Sequence, residues 1–340
     1  MGQEPDGRNG HGIGRQQLTE GRRSEQKMHY YLAPMEGLTG FVYRGVHHRF
    51  FSGTDKYFMP FLSANQNLSF TNREKREIDP GHNRGYRAVP QILTKDAGQL
   101  VWAAGYLAEL GYDEVNLNLG CPSATVTAKG KGAGMLRDPD ALMSFFDAVF
   151  SKLSGIPIRM SVKTRLGWMD PEESARLMEV FNSFPFSEII IHARVKTQLY
   201  EGEADRDCFG RAYLSGKNPV VYNGDLLTKE DIEEAGLEYP DMNAVMAGRG
   251  IMINPALFRE ASGGSGASKQ EYHDFMKELY YAYLSEYGSA RNVLYKMQDL
   301  WKYASQAFGN NDRALRRILK SKTGEEYLDA VEEFFDAAVL

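Results

Sequence analysis

Two rhythms of apolar and polar positions alternate along this chain. Short β-type runs occur at 30–33 (YYLA), 56–59 (KYFM), 88–92 (AVPQI), 114–118 (EVNLN), 158–163 (IRMSVK), 189–192 (IIIH), 219–223 (PVVYN) and 243–247 (NAVMA). Several are apolar throughout, as strands buried on both faces are. Between them, 96–110, 138–153 and 171–184 carry the spacing of amphipathic helices. Asp138 followed by Pro139 has the form of an N-cap with proline in the first turn. Eight strands alternating with helices predict an α/β fold, a closed parallel (β/α)8 TIM barrel. A doubly wound open sheet alternates similarly. The count of eight, and the polar residue at nearly every strand's C-terminal end, favour the barrel. The long polar link at 60–87 has room for an extra hairpin or helix.

The pattern changes at both ends. Residues 1–27 are glycine-rich and polar, and read as a disordered leader unable to bury enough surface to offset ordering. They lack the apolar core of a secretory signal. After the last strand, INPALFRE (253–260) begins a helix, and ASGGSGAS (261–268) reads as a flexible linker. From 269 to 340 the periodicity is helical, which predicts a small all-helical bundle. The expected organisation is a leader at 1–27, a barrel domain at 28–260 and a helical domain at 269–340.

Composition changes this picture little. A chain of 340 residues holds one large domain and one small one. Its net charge of −5 argues, taken alone, against a nucleic-acid partner, but local clustering matters more than the sum. No apolar run approaches the ~18 residues of a membrane span. Two cysteines, Cys121 and Cys208, make no disulfide framework, and a reducing cytoplasm is expected. No set of His, Cys and carboxylate residues has metal-ligand spacing, so no metal is predicted.

Candidate chemistry gathers at the C-terminal strand ends, where barrels of this kind build their sites. These ends carry Ala33-Pro34-Met35, Gln91, Asn116 and Asn118, Lys163 and Arg165, His192 and Arg194, Asn223-Gly224-Asp225, and Gly248-Arg249-Gly250. For any one of them an ordinary structural role suffices; together they indicate a site. The last two turns suit an anion, with glycines letting the main chain approach and Arg249 adding a charge. Lys163 closes an apolar strand and would face something anionic, either an electron-rich cofactor ring or a phosphate. His192 would be a neutral donor beside it. Cys121 sits in a turn between Gly120 and Pro122, ahead of a glycine-rich basic segment; either the turn tolerates a small residue or the thiol does chemistry. In the tail, Arg313, Arg316, Arg317 and Lys320 recur at helical spacing on one side, with Leu315, Ile318 and Leu319 on another. Such a stripe suits phosphates, although a solvated charged face reads the same way. The tyrosine-rich run 278–288 is read as bundle core before base-stacking surface.

Six segments, in order, carry a resemblance: YLAPMEGLTG, NLNLGCPSATVTAKGKGAGML, SVKTRLGW, IHARVKTQLYEGEAD, VVYNGDL and VMAGRGIMINPALF. Over about 30–258 the chain resembles the tRNA-dihydrouridine synthases, a family whose helical tail recognises RNA. The resemblance implies tightly bound FMN at the barrel mouth, NADPH as reductant, tRNA as substrate, and hydride delivery from flavin N5 to uracil C6. It places Pro34, Met35 and Glu36 against the flavin ring, Gln91 and Lys163 at its polar edge, and His192 nearby. Asn223, Gly224, Asp225, Gly248 and Arg249 would hold the phosphate end. Cys121 matches the proton donor to C5, with Lys129 or Lys131 as helping cations, and Arg313, Arg316, Arg317 and Lys320 would meet RNA. The chain departs from the family at Ala193-Arg194-Val195 and at Arg206, where glycine-arginine-threonine and tryptophan are common. A monomer without membrane contact is expected. The competing expectation is an FMN barrel reducing a free pyrimidine or another small enone.

Overall fold

Pro90 divides the third predicted strand, and the architecture is easiest to follow from that break. The computed structural model describes residues 27–309 and 312–338, so the expected leader lies outside the described residues except for its last position. Nine parallel segments form the sheet: β1 (His29–Leu32), β2 (Lys56–Phe58), β3 (Ala88–Val89), β4 (Gln91–Ile92), β5 (Glu114–Asn118), β6 (Arg159–Gly167), β7 (Ile189–Val195), β8 (Val220–Asn223) and β9 (Ala244–Ala247). Their lateral order is β3-β2-β1-β9-β8-β7-β6-β5-β4. The two ends of that order are the halves of one strand. Pro90 has no N–H to give the ladder, yet its carbonyl accepts from Asn116 N at 2.9 Å. The ring is therefore a (β/α)8 barrel, with one of the eight predicted strands interrupted.

β6 and β7 run further than their apolar stretches, to Gly167 and Val195, through a register shift between Arg165 and Gly167. Arg165 and Arg194 thus lie within strands and are buried, rather than standing beyond the strand ends. Strand residues alternate between two packing layers. Tyr31, Phe58, Val89, Ile190, Val221 and Met246 fill one part of the barrel interior, while their neighbours pack against the surrounding helices. The predicted helices appear at Ala97–Glu109, Pro139–Leu153 and Glu173–Phe181, with Asp138 capping Ala141 N at 2.9 Å. The 60–87 link contains the helix Asn72–Glu77, entered through a reciprocal capping box between Thr71 and Glu74.

The tail forms the helices Lys269–Tyr287, Ala290–Ala304, Asp312–Lys320 and Gly324–Ala337. Trp301, Tyr327, Phe334 and Phe335 are buried among them, with Trp301 Nε1 donating to Tyr327 Oη at 2.9 Å. Tyr280 and Tyr283 join that core, while Tyr281 and Tyr287 remain partly exposed. Phe275 packs its ring on Tyr43, Phe50 and Phe51, so the helical region is seated on the barrel. The glycine-serine run expected to be a free linker is tied down. Arg259 donates to Ser265 O at 2.8 Å and Gly266 O at 3.1 Å, and forks onto Glu271 at 2.7 and 2.8 Å. Glycine here lets the main chain wrap a guanidinium.

Candidate active site

A cavity of about 620 Å³ opens at the C-terminal mouth of the barrel, within the usual range for small-molecule sites. Its walls include Pro34, Met35, Glu36, Gln91, Cys121, Lys163, His192, Asn223, Gly224, Asp225, Gly248 and Arg249. Every cofactor and catalytic candidate from the sequence is therefore brought to one place.

The Cys121 turn is built from both sides. Asn118, the last residue of β5, accepts the N–H groups of Gly120 (3.1 Å) and Cys121 (2.9 Å) on its Oδ1. The glycine-rich segment then folds back underneath. Gly132 adopts φ +57°, and a Cβ there would stand 2.9 Å from Cys121 O, which accepts from Ala133 N at 3.1 Å. The glycines after the cysteine thus serve close packing. Burial pushes the Cys121 thiol above its ordinary pKa, opposed by a backbone hydrogen bond at Ser123 and by Arg165 and Lys163. Arg165 and Lys163, rather than the expected Lys129 and Lys131, are the cations seen acting on it.

Lys163 projects from β6 into the cavity. Among the described residues its Nζ makes no hydrogen bond or ion pair, and burial together with nearby Arg165 lowers its pKa to about 7. Arg165 is a strut: its Nε donates to Gly120 O (2.9 Å), and its Nη1 to Val195 O (2.9 Å) and Leu199 O (2.7 Å). Its guanidinium also lies 5.2 Å from the Tyr200 ring. Arg194 likewise spends its donors inside the fold, on Glu201 O, Gly202 O and the Asp225 carboxylate, and meets His192 Nε2 at 3.2 Å.

At the end assigned by resemblance to a phosphate, Asn223 Nδ2 donates to Met246 O at 2.7 Å. Asp225 bonds Arg194 through Oδ2 and Arg249 through Oδ1, the latter at 2.6 Å. Its carboxylate is thus a bridge between two guanidiniums. Gly250 cannot be another residue, because a Cβ would fall 2.1 Å from Leu226 O. Glu36 is exposed at the rim and pairs with Arg73 at 3.1 Å.

Arg313, Arg316, Arg317 and Lys320 are exposed on the helix Asp312–Lys320, whose Ala314 and Ile318 are buried. They do not line the cavity, and Arg317 is paired with Glu333. Among the wall residues that the sequence reading did not single out are Tyr200, Tyr303 and Gln306. Tyr200 stands in one of the quoted motifs and was within reach. Tyr303 and Gln306 arrive from the helical region by long-range packing, and no local signal marks them. Lys296, from the same region, reaches the rim and donates to Gly37 O at 2.7 Å. Among the described residues there is no group of three or more His, Cys, Asp or Glu side chains arranged to hold a metal ion.

A thiol, a lysine without a partner among the described residues and a buried imidazole around the mouth of a parallel barrel define an enzyme of the (β/α)8 class, and the comparisons make it an oxidoreductase. The dihydrouridine synthase (Dus) family model matches residues 31–339, and the chain belongs to that family. It is 28% identical over 285 residues to a probable tRNA-dihydrouridine synthase of Rhodobacter capsulatus, covering 81% of this chain and 86% of the relative. With tRNA-dihydrouridine synthase B of Shewanella oneidensis it shares 26% identity over 317 residues, 91% of this chain and 95% of the relative. The solved structure of morphinone reductase superposes with a TM-score of 0.51 at 11% identity, over 71% of this chain and 87% of that one, a likeness of fold.

Proposed function

We propose that this protein reduces the 5,6 double bond of uridines in tRNA to dihydrouridine, with FMN as resident cofactor and NADPH as reductant. The observation that carries the reading is the presence of Cys121 and Lys163 in one cavity, the thiol held protonated and the lysine without a hydrogen-bond or ion-pair partner among the described residues. The residues fit a flavin phosphate. The cavity volume is in the range of small-molecule sites, Lys163 would offer a charge to the electron-rich ring edge, and Arg249, held by Asp225, would meet the phosphate. When bound and reduced, the flavin would supply the hydride that uracil C6 accepts.

The chain's own residues do the rest. Cys121 keeps its proton at neutral pH because burial disfavours the thiolate, and so can deliver it to C5 as a general acid. Arg165 and Lys163 then ease the charge left on sulfur. Lys163 faces the site where negative charge develops, a fixed electrostatic contribution. A base can enter only after leaving its stack, which requires a grip on the RNA. Exposed Arg313, Arg316 and Lys320 are proposed to supply it, with Arg317 engaged at Glu333. We take 28–260 as the catalytic unit, 269–340 as the RNA-recognition unit and the cytoplasm as the setting.

The helical region's share of the cavity wall, through Tyr303 and Gln306, favours a polymer substrate over a free pyrimidine. Because Phe275 is packed into the barrel, removing 269–340 would strip a hydrophobic face, and point substitutions make the cleaner test. Dihydrouridine should be mapped in RNA from cells lacking the protein, then after restoring wild type or Cys121→Ala. Restoration by wild type alone is expected; equal restoration by the alanine variant would remove Cys121 from the reaction.

A further inference from the structure

The barrel interior holds a run of hydrogen-bonded side chains that leads from the Cys121 loop and Gln91 to groups the proposed chemistry does not use. Cys121 N donates to Asn118 Oδ1 at 2.9 Å, and Asn118 Nδ2 to Gln91 Oε1 at 2.7 Å. Gln91 Nε2 donates to Asn116 Oδ1 at 2.8 Å, Asn116 Nδ2 to Ser161 Oγ at 2.9 Å, and Ser161 Oγ to Glu114 Oε1 at 2.8 Å. Gln91, Asn116, Ser161 and Glu114 are all at most 1% exposed. The other oxygen of Glu114 is held by Lys56 at 2.8 Å and Arg87 at 3.2 Å.

Every link in this run donates towards Glu114, and both ends dictate that direction. At the top, two backbone N–H groups can meet only an acceptor, so Asn118 must turn its oxygen to the loop and its NH2 downward. At the bottom, a carboxylate beside Lys56 and Arg87 can only accept. The Ser161 hydroxyl must therefore spend its single proton on Glu114 and receive from Asn116. The amides between have no freedom left. Gln91 shows its oxygen to Asn118 and its nitrogen to Asn116, with one amide N–H unspent among the described residues on a side chain that lines the cavity.

We propose that Glu114 is a positioning residue for the reaction: through Ser161 and Asn116 it fixes the facing of the Gln91 amide, and through Asn118 it seats the Cys121 loop. This rests on the reading above only in naming Cys121 and Gln91 as groups whose placement matters. Glu114 lies at the opposite end of β5 from the cavity and touches no reacting group. Its influence passes down a relay in which each buried polar group is satisfied only if its neighbour is oriented. Were Gln91 reversed, two amide nitrogens would face each other across 2.7 Å and a carbonyl would stand where the free N–H is.

The test uses full-length Ser161→Ala, Glu114→Gln and Glu188→Gln. Ser161→Ala cuts the run and leaves the Lys56–Glu114 pair in place. Glu114→Gln replaces the terminal anion at constant shape. Glu188→Gln alters the other partner of Lys56, at 2.7 Å, without touching a link. Readouts are amide hydrogen exchange at 119–121, the pH profile of Cys121 alkylation in flavin-free protein, and the visible band of the FMN-loaded protein. Thermal unfolding checks that each barrel is intact. Ser161→Ala and Glu114→Gln should speed exchange at Gly120 and Cys121 by about fivefold, the worth of one net hydrogen bond. Both should also displace the alkylation profile and flavin band in the same sense, while Glu188→Gln matches wild type. Should Ser161→Ala fail to fold, Ser161→Cys, a weak donor, should give an intermediate response. Unchanged exchange in the serine variants, or an equal change in Glu188→Gln, would overturn the proposal. None of these readouts requires RNA reduction, so they stand apart from the functional assignment.

Discussion

Arg194 Nη1 lies 3.2 Å from His192 Nε2, and a guanidinium can only donate. That ring nitrogen must therefore accept, which makes His192 a neutral imidazole carrying its proton on Nδ1. Burial, reinforced by Lys163, Arg165, Arg194 and Arg249, holds its pKa well below the ordinary value. Unfolded chain would take up a proton near the usual ~6.5 that the native ring refuses. His192 thus lowers stability as pH falls through that value and costs nothing above it. Imidazole nitrogen shifts in labelled protein should still report the Nδ1–H tautomer when the pH falls below that ordinary value. A ring that titrates near its free value would contradict the assignment.

Lys163 has the opposite dependence on what sits above it. In flavin-free protein its pKa is lowered to about 7 by burial and Arg165, whereas unfolded lysine titrates near ~10.4. The unfolded state binds the extra proton between these values. The penalty is therefore complete below about 7 and is relieved as pH rises towards the unfolded value. An anionic ligand reverses the preference. FMN binding above neutrality should take up a proton, and its affinity should fall with pH across the same window. Calorimetry in buffers of different ionisation heat measures the uptake, and Lys163→Met should abolish the part due to this side chain.

Cys121 should be slow to react at neutral pH, since burial holds the thiol protonated. Its alkylation by iodoacetamide should still be accelerating above the ~8.5 of a free thiol, with buried Cys208 silent. Replacement by alanine should leave flavin absorbance unchanged and cut product formation by roughly 10²–10⁴-fold, the usual worth of a general acid. A single-turnover assay with reduced enzyme separates the two effects.

The basic helix predicts a graded response. Arg313→Ala, Arg316→Ala or Lys320→Ala should each weaken RNA binding across sequences and reduce the salt slope by about one. Arg317→Ala should do less, because its guanidinium is already paired with Glu333. Fluorescence titrations at several salt concentrations give both quantities, and the flavin spectrum should not move.

Much of the barrel could be read from the sequence because parallel strands buried on both faces leave continuous apolar runs. Lys163, His192 and Asn223 stand out by ending such runs. The run 88–92 reads as one strand, and the missing N–H of Pro90 divides it. The roles of Arg165 and Arg194 were hidden, because whether a guanidinium meets a ligand or a backbone carbonyl depends on loops that fold over it from elsewhere. Asp225 also joins Arg194 and Arg249, a link set by three-dimensional neighbours that the sequence alone does not show. Glu114, at the start of a strand, gave no hint of a connection to Cys121, seven positions later on the opposite end of the barrel.

The wrapping of Ser265 and Gly266 around Arg259, together with the seat of Phe275 among barrel aromatics, ties the two parts of the chain together. A nucleic acid resting on the outer arginines would present its bases to the mouth at a set separation. If those arginines hold the RNA as proposed, the choice of uridine depends on that separation, and lengthening the glycine segment should blur which position is chosen before it slows the chemistry.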